Sequence, residues 1–387
     1  MAESQVVISQ RGAERLRSGH LWVYRSDVRS SAAEPGDIVR LADEHGNFLG
    51  RAFFSSRSQI TIRLLSRDDV PIDRAFFTAR IRAAAEFRKR IVEDTEAYRL
   101  VYSEADLLPS LIVDRYADWL VIQTLSQGAE RLKDEFASIL AELFSPRGIL
   151  ERNDPRVRDL EGLPRRVSLL AGESPAEIEA KRNGISFLHD LQKGQKTGGF
   201  LDQRENHRAA LTYSSGEVLD CFTYQGGFAL SVASRASQVE AIDLSPQALE
   251  VARRNQELNA IRNVSFREAN AFDVLKAYDE AHRAFDLVIL DPPAFAKNRE
   301  SVPAAVRGYK EINLRALKLL KPGGYLITCS CSYHIAEALF LQVIAEAAND
   351  ARRAVQVVER RTQSRDHPIL LTMPETHYLK CMILKAI

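Results

Sequence analysis

The sequence is poor in the residues that would tie it to a disulfide scaffold, a metal centre or a membrane. It has four cysteines in 387 residues, Cys221, Cys329, Cys331 and Cys381. They form no disulfide framework, and Cys329 and Cys331 stand too close for an ordinary structural bridge. No C-x-x-C pair and no histidine cluster offers a ligand set, so no metal is expected. No apolar run reaches the roughly 18–20 residues of a membrane span, and the N-terminus lacks the apolar centre of a signal peptide. A cytoplasmic protein with reduced thiols is expected, and one cysteine is free to act as a thiolate. Charge of one sign is missing too: 53 basic and 52 acidic residues leave +1. A positive surface for nucleic acid would therefore have to be local. The first 67 residues contain no lysine, only arginine. Arginine suits planar contacts to phosphates or base edges, although a base-composition bias would leave the same mark.

What is present divides the chain. At this length more than one domain is expected. Residues 1–72 read as a small β-rich module of short alternating segments, VVIS, GDIVRLAD, FLGRAFF and QITIRLLS, separated by turn residues. Residues 73–182 read as an α+β module. FFTARIRAAAEFRKRIV has helical periodicity, with Arg88, Lys89 and Arg90 expected on its solvated face, and SQGAERLKDEFASILAELF is a second helical stretch. Arg99, Glu104 and Asp114 read first as structural ion pairs. Residues 183–387 alternate strand and helix patterns, which predicts an α/β, parallel, doubly wound sheet. RALKLLKPGG reads as a helix closed by glycine ahead of the fifth strand.

The organising stretch is EVLDCFTYQGGFAL, a strand that stops at a glycine-bearing turn and feeds a helix. Such a junction offers backbone N–H groups to a small cofactor. It is a poor match to the G-x-G-x-x-G of dinucleotide sites. Asp243 ends the next strand, about 20 residues on, where an acid accepts hydrogen bonds from ribose hydroxyls. Asn270 and Ala271 end a third strand, and Asp291-Pro292-Pro293 a fourth. Asp-Pro-Pro at that place argues for S-adenosylmethionine, with Asp220 near the methionine ammonium, Asp243 at the ribose and Asn270 at the adenine amino group.

Amino methylation commonly uses Asp/Asn-Pro-Pro followed directly by Tyr or Phe. Here Phe295 comes one position later, which disfavours it. The competing feature is TCSCSYH at the end of the fifth strand. Carbon-5 of a pyrimidine is too weak a nucleophile until a thiolate adds to carbon-6. Period-two alternation places Cys329 and Cys331 on one face, so spacing does not choose between them, or between nucleophile and small buried hydrophobe.

Several blocks carry a resemblance. GHLWVY with PGDIVRLAD and FLGRAFFSSRSQI resembles a PUA-type module. K-T-G-x-F-L-D-Q-R, D-C-F-x-Y-x-G-G-F, L-D-P-P-x-F, R-G-Y-K-E-I-N, S-C-S and the closing DHPILLTMPETHYLK resemble the RlmI-type 23S ribosomal-RNA 5-methylcytosine methyltransferases. The likeness covers nearly the whole chain. It implies a PUA-like RNA-binding domain, a small central α+β domain and a Rossmann-like class I methyltransferase domain. It implies a cofactor set of Phe200, Asp202, Gln203, Phe222, Tyr224, Gly226, Leu244 and Ala271 beside Asp220, Asp243, Asn270 and Asp291. It also implies a lid around Lys196–Gly199, Cys331 as nucleophile, Asp291 on the base, and 23S ribosomal RNA or a large-subunit precursor as substrate. The family has glycine where this chain has Leu108 and Ser110, and aspartate where it has Asn270. Lys297, Arg299, Arg307, Lys310 and His334 are candidate phosphate contacts, and His367 a candidate pocket or core histidine. Uracil carbon-5 methylation, amino methylation and a non-catalytic RNA-binding assembly factor are the alternatives.

Overall fold

The computed structural model describes residues 4–387, packed as two compact units. One comprises the described residues up to Lys181 together with His189–Leu201 and Arg365–Thr376. The other comprises Arg182–Leu188, Asp202–Ser364 and His377–Ile387. Among the described residues, no helix is long and apolar enough to cross a membrane.

The first unit begins with a six-stranded sheet in the order Trp22–Tyr24, Ile60–Ser66, Phe48–Phe54, Ile38–Asp43, Gln5–Ile8, Val28–Ser31. Val6, Val23, Leu41, Ile62 and Leu64 fill its core. The β-rich module also carries a helix, Gln10–Arg17. Only Gly12, Ala13 and Leu16 are buried on it, too few to signal a helical stripe in sequence. Ser9 starts it by accepting the Gly12 N–H at 3.2 Å. The arginines of this module are largely committed to carboxylates. Arg11 and Arg15 pair with Asp27, Arg17 with Asp43, Arg51 with Asp69, and buried Arg63 with buried Glu161 at 2.8 Å.

A five-stranded sheet follows, in the order Arg166–Gly172, Gly148–Asn153, Trp119–Thr124, Leu111–Tyr116, Ala97–Tyr102. The helices Arg74–Ile91 and Lys133–Phe144 bury Phe77, Ile81, Phe136 and Leu140 against it. Phe77, Ile81, Ala84 and Arg88 share the buried stripe of the first helix, so Arg88 is not on the solvated face. Its guanidinium pairs with Asp106 at 2.5 Å and donates to the carbonyls of Arg99 and Asp366 at 3.1 and 2.8 Å. A spacing rule places a charge outside unless internal partners replace its water, and here they do. Arg99 and Asp114 form a bidentate pair at 2.8 Å, whereas Glu104 accepts the Trp22 indole N–H at 2.9 Å and has no ion partner among the described residues. Ser110 stands at φ +65°, the left-handed region that glycine would fill, and the Ser103 hydroxyl accepts its N–H at 2.8 Å.

In the second unit seven strands form one sheet. They are β1 (Glu217–Cys221), β2 (Gln238–Asp243), β3 (Val264–Glu268), β4 (Phe285–Leu290), β5 (Leu320–Ser330), β6 (Val355–Arg361) and β7 (Lys380–Ala386). Their order is β3-β2-β1-β4-β5-β7-β6. β1 to β5 are parallel, and β7 runs antiparallel between β5 and β6. The crossovers are α1 (Gly227–Val232), α2 (Pro246–Leu258), α3 (Ala271–Glu280) and α4 (Val302–Lys318), with α5 (Glu337–Asp350) beyond β5. The sheet order reverses at β1/β4, the place where open α/β sheets bind ligands beyond the strand ends. The glycine-closed helix expected before the fifth strand is corrected: α4 ends at Lys318, and Gly323 and Gly324 lie inside β5. A register shift between β4 and β5 absorbs them, a bulge that local sequence does not distinguish from a cap.

Candidate active site

Three acids mark the strand ends around the switch point. Asp220, near the end of β1, is fully buried. Its Oδ2 accepts the Thr223 hydroxyl at 2.6 Å and the Ala229 N–H at 3.0 Å, while Oδ1 has no hydrogen-bond partner among the described residues. Burial pushes its carboxyl up to about 7, and the charges of Asp291 and Asp243 add to that. A sealed carboxylate with an open oxygen and two like charges nearby fits a cation, which is what the ammonium of S-adenosylmethionine supplies.

The turn after β1 is strained where that cradle forms. Phe222, Tyr224 and Gly226 have φ of +67°, +51° and +84°, and only the last is free of a Cβ penalty. The strain is held by tertiary bonds. Tyr224 donates its N–H to Asp243 Oδ2 at 2.8 Å, and buried Asn255 of α2 donates to the Gln225 carbonyl at 3.1 Å. Asp243 ends β2, and its Oδ1 accepts the Ser245 N–H at 2.9 Å. Beside it Leu244 is 63 % exposed, an apolar side chain held in solvent at the site. Asn270 caps α3, its Oδ1 accepting the Phe272 N–H at 2.9 Å, and Ala271 is buried behind it. The amide oxygen expected for adenine is therefore already engaged as a helix cap, with one lone pair left to share.

The second group lies beyond β4 and β5. Asp291 follows β4 directly, and Gln203 donates from Nε2 to its Oδ1 at 2.8 Å. Asn206 orients that amide, donating to Gln203 Oε1 at 2.7 Å. Gln203 thus acts first on Asp291, a link its sequence position did not reveal. Asp202 accepts the Tyr378 hydroxyl at 2.6 Å. Phe200 belongs to the first unit, with the Lys196 ammonium 4.4 Å from its ring centre. The expected lid at Lys196–Gly199 is tethered there: Thr197 is buried and donates to Asp114 Oδ2 at 2.6 Å.

Exposure separates the two cysteines that spacing left equivalent. Cys329 lies inside β5, opposite Cys381 of β7, and is fully buried. Burial pushes its thiol far up, and Cys381 adds to that. Cys331 lies past the end of β5 and is partly exposed, the other three cysteines being buried. Its Sγ is 3.8 Å from the Pro292 carbonyl, so it stands against the Asp-Pro-Pro turn. The flanking serines anchor it. Ser330 donates to the Tyr309 hydroxyl at 3.0 Å, and Ser332 is 2.9 Å from the same hydroxyl and accepts the Ala296 N–H at 3.1 Å. Tyr309 comes from R-G-Y-K-E-I-N, which gives that block a physical role. Phe295 packs on Tyr309 with ring centres 4.7 Å apart. Sequence reasoning passed over Tyr333, an exposed aromatic two residues after Cys331, and Lys380, buried at the start of β7. Of the candidate phosphate contacts, Lys297, Arg299 and Arg307 are exposed, and Lys310 is paired with Asp350 at 2.9 Å. His367 is buried in the first unit, its ring centre 5.3 Å from that of Tyr102.

This sheet order, with an acid at each of the first two strand ends and Asp-Pro-Pro at the fourth, defines a class I, S-adenosylmethionine-dependent methyltransferase. The comparisons agree. The family described as S-adenosylmethionine-dependent methyltransferase matches residues 164–380, and the PUA-like domain matches residues 6–67. The fold resembles that of a methyltransferase solved as a complex with SAH, with TM-score 0.85 at 22% identity over 98% of this chain and 99% of that one. Ribosomal RNA large subunit methyltransferase I of Shewanella amazonensis is 42% identical over 95% of both chains. Its namesake from Tolumonas auensis is 40% identical over 99% of this chain and all of the other. The chain belongs to the family of ribosomal RNA large subunit methyltransferase I. It is an enzyme, and its cofactor is S-adenosylmethionine.

Proposed function

We propose that the protein methylates carbon-5 of a cytosine in large-subunit ribosomal RNA, 23S RNA or its precursor, through a covalent adduct between Cys331 and carbon-6. Residues 183–387 carry the reaction, residues 1–72 bind RNA, residues 73–182 form the intervening domain, and the enzyme works in the cytoplasm. The observation that carries the reading is the pairing of a partly exposed Cys331 with the Asp-Pro-Pro turn while Cys329 is sealed in the sheet.

S-adenosylmethionine supplies an electrophilic methyl. Asp220 holds its ammonium, Asp243 its ribose, and Leu244, Asn270 and Ala271 line the adenine; Asp202, Phe222, Tyr224 and Gly226 complete the cofactor set. The Cys331 thiolate forms a bond to carbon-6, and the carbon-5–carbon-6 π pair moves onto carbon-5, which becomes nucleophilic. Asp291, oriented by Gln203, hydrogen-bonds the base at nitrogen-3 and offsets charge developing there. After methylation a base takes the carbon-5 proton, the carbon-5–hydrogen pair restores the carbon-5–carbon-6 double bond, and the carbon–sulfur bond breaks with its pair returning to sulfur. Phe295, packed on Tyr309, is poorly free to stack on a base, which speaks against amino methylation.

The test is a denaturing gel with large-subunit RNA carrying 5-fluorocytosine, whose fluorine cannot leave as a proton does. A cofactor-dependent adduct in wild type and in Cys329→Ala, and none in Cys331→Ala, is expected. An adduct lost only in Cys329→Ala would overturn the assignment of the nucleophile. An absent adduct in protein that methylates RNA would overturn carbon-5 chemistry in favour of amino methylation, and an adduct with 5-fluorouracil RNA alone would move the target to uracil. Protein that binds cofactor and RNA but makes no product would be an assembly factor.

A further inference from the structure

Lys380 is 3 % exposed and opens β7, paired in register with Ser330, the residue before Cys331. Its Nζ donates to the carbonyl of Ser332 at 2.7 Å and to that of Tyr378 at 2.8 Å. Ser332 is the residue after Cys331, so the lysine clamps the segment that presents the thiol. A buried ammonium without a carboxylate in hydrogen-bond contact is costly, and this one forms no salt bridge among the described residues. Two carbonyls take two of its three N–H donors. Burial drives the amine down to about 8, and the groups that act the other way are a negative charge on Cys331 and the carboxylate of Glu337 at the start of α5. Lys380 is paired with the residue before Cys331 and bonded to the residue after it, so the amine is held beside the segment that carries the thiol.

We propose that Lys380 is the positioning residue that holds Cys331 as a thiolate. The Cys331 S–H bond breaks, the proton passes to solvent, and the sulfur's negative charge is retained beside the Lys380 ammonium. The same ammonium receives the thiolate again when the adduct breaks. The inference rests on the reading of Cys331 as nucleophile, but the pair it describes is measurable without RNA or cofactor.

The experiment is the rate of iodoacetamide modification of Cys331 in the full-length protein between pH 5.5 and 10, read by mass spectrometry. Burial of Cys221, Cys329 and Cys381 makes Cys331 the reporter. In wild type the rate is expected to reach half its plateau at least one pH unit below the ordinary thiol value of about 8.5. In Lys380→Met the midpoint moves up by a unit or more and the rate at pH 7 falls about tenfold. Lys380→Arg, which keeps the charge, retains the low midpoint. A wild-type midpoint at or above the ordinary value overturns the proposal whether or not either variant folds. So does a Lys380→Met protein of unchanged circular dichroism with an unchanged midpoint. If Cys331→Ala retains methylation while the wild-type midpoint is low, the nucleophile reading fails and the ion pair stands.

Discussion

Gln203 and Asp291 are joined by a 2.8 Å hydrogen bond across the mouth of the sheet, from the segment before β1 to the end of β4. The amide leaves Asp291 Oδ2 outside that bond. It also fixes the carboxylate's plane, because Asn206 holds the amide in turn. A catalytic acid or hydrogen-bonding group placed this way is oriented before substrate arrives.

Replacing Asp291 by Asn is expected to lower the methylation rate about 100- to 1,000-fold at saturating cofactor, the scale of removing a positioned charge-stabilising or proton-transfer group. Gln203→Ala, which removes that bond, should lose less, about tenfold. Methyl incorporation into large-subunit RNA measures both, and equal losses would show that Gln203 has a further role.

If Asp220 holds the cofactor's ammonium as proposed, cofactor binding is linked to pH. Its folded value of about 7 lies above the usual 3.8, so the native state of the free protein holds this proton more tightly than the unfolded state. The stability it contributes is full below about pH 4 and is lost as pH rises to 7. A bound ammonium favours the ionised form, so cofactor affinity should increase from pH 6 to 8. Asp220→Asn is expected to weaken affinity at least tenfold, to flatten that pH dependence and to raise the melting temperature of the free protein at pH 8. Calorimetric titration and thermal melts at pH 6, 7 and 8 check all three, and a steep affinity profile surviving in the variant would count against Asp220 as the ammonium's partner.

Gly226→Ala tests the strained turn. An added Cβ would stand 3.2 Å from Leu230 at φ +84°, a cost of about 1–2 kcal/mol. Weaker cofactor binding with a small loss in denaturant midpoint is expected if the turn holds the cofactor as proposed.

Arg88→Met should destabilise by about 3–5 kcal/mol, because Asp106 loses its buried partner. Urea unfolding measures it. A loss below 1 kcal/mol would mean that Arg88 lies on the solvated face after all.

Much of the fold could be read locally. The β-α alternation, the acids at the ends of β1 and β2 and the Asp-Pro-Pro turn are strand-end features, and short-range pattern determines them because period and turn chemistry are properties of neighbouring residues. The same pattern left Cys329 and Cys331 equivalent. What separated them was where β5 stops and what β7 lays across it, a pairing with residues some fifty positions away in sequence. Arg88 was misplaced for the same reason: its periodicity is that of a surface charge until Asp106 and two distant carbonyls replace its water. The sequence by itself determined the order of elements, the cofactor class and the residue types at the strand ends. Only the tertiary structure decided which thiol is reachable, which lysine holds the segment after it and which amide orients Asp291, because burial and long-range contacts are quantities that no local window contains.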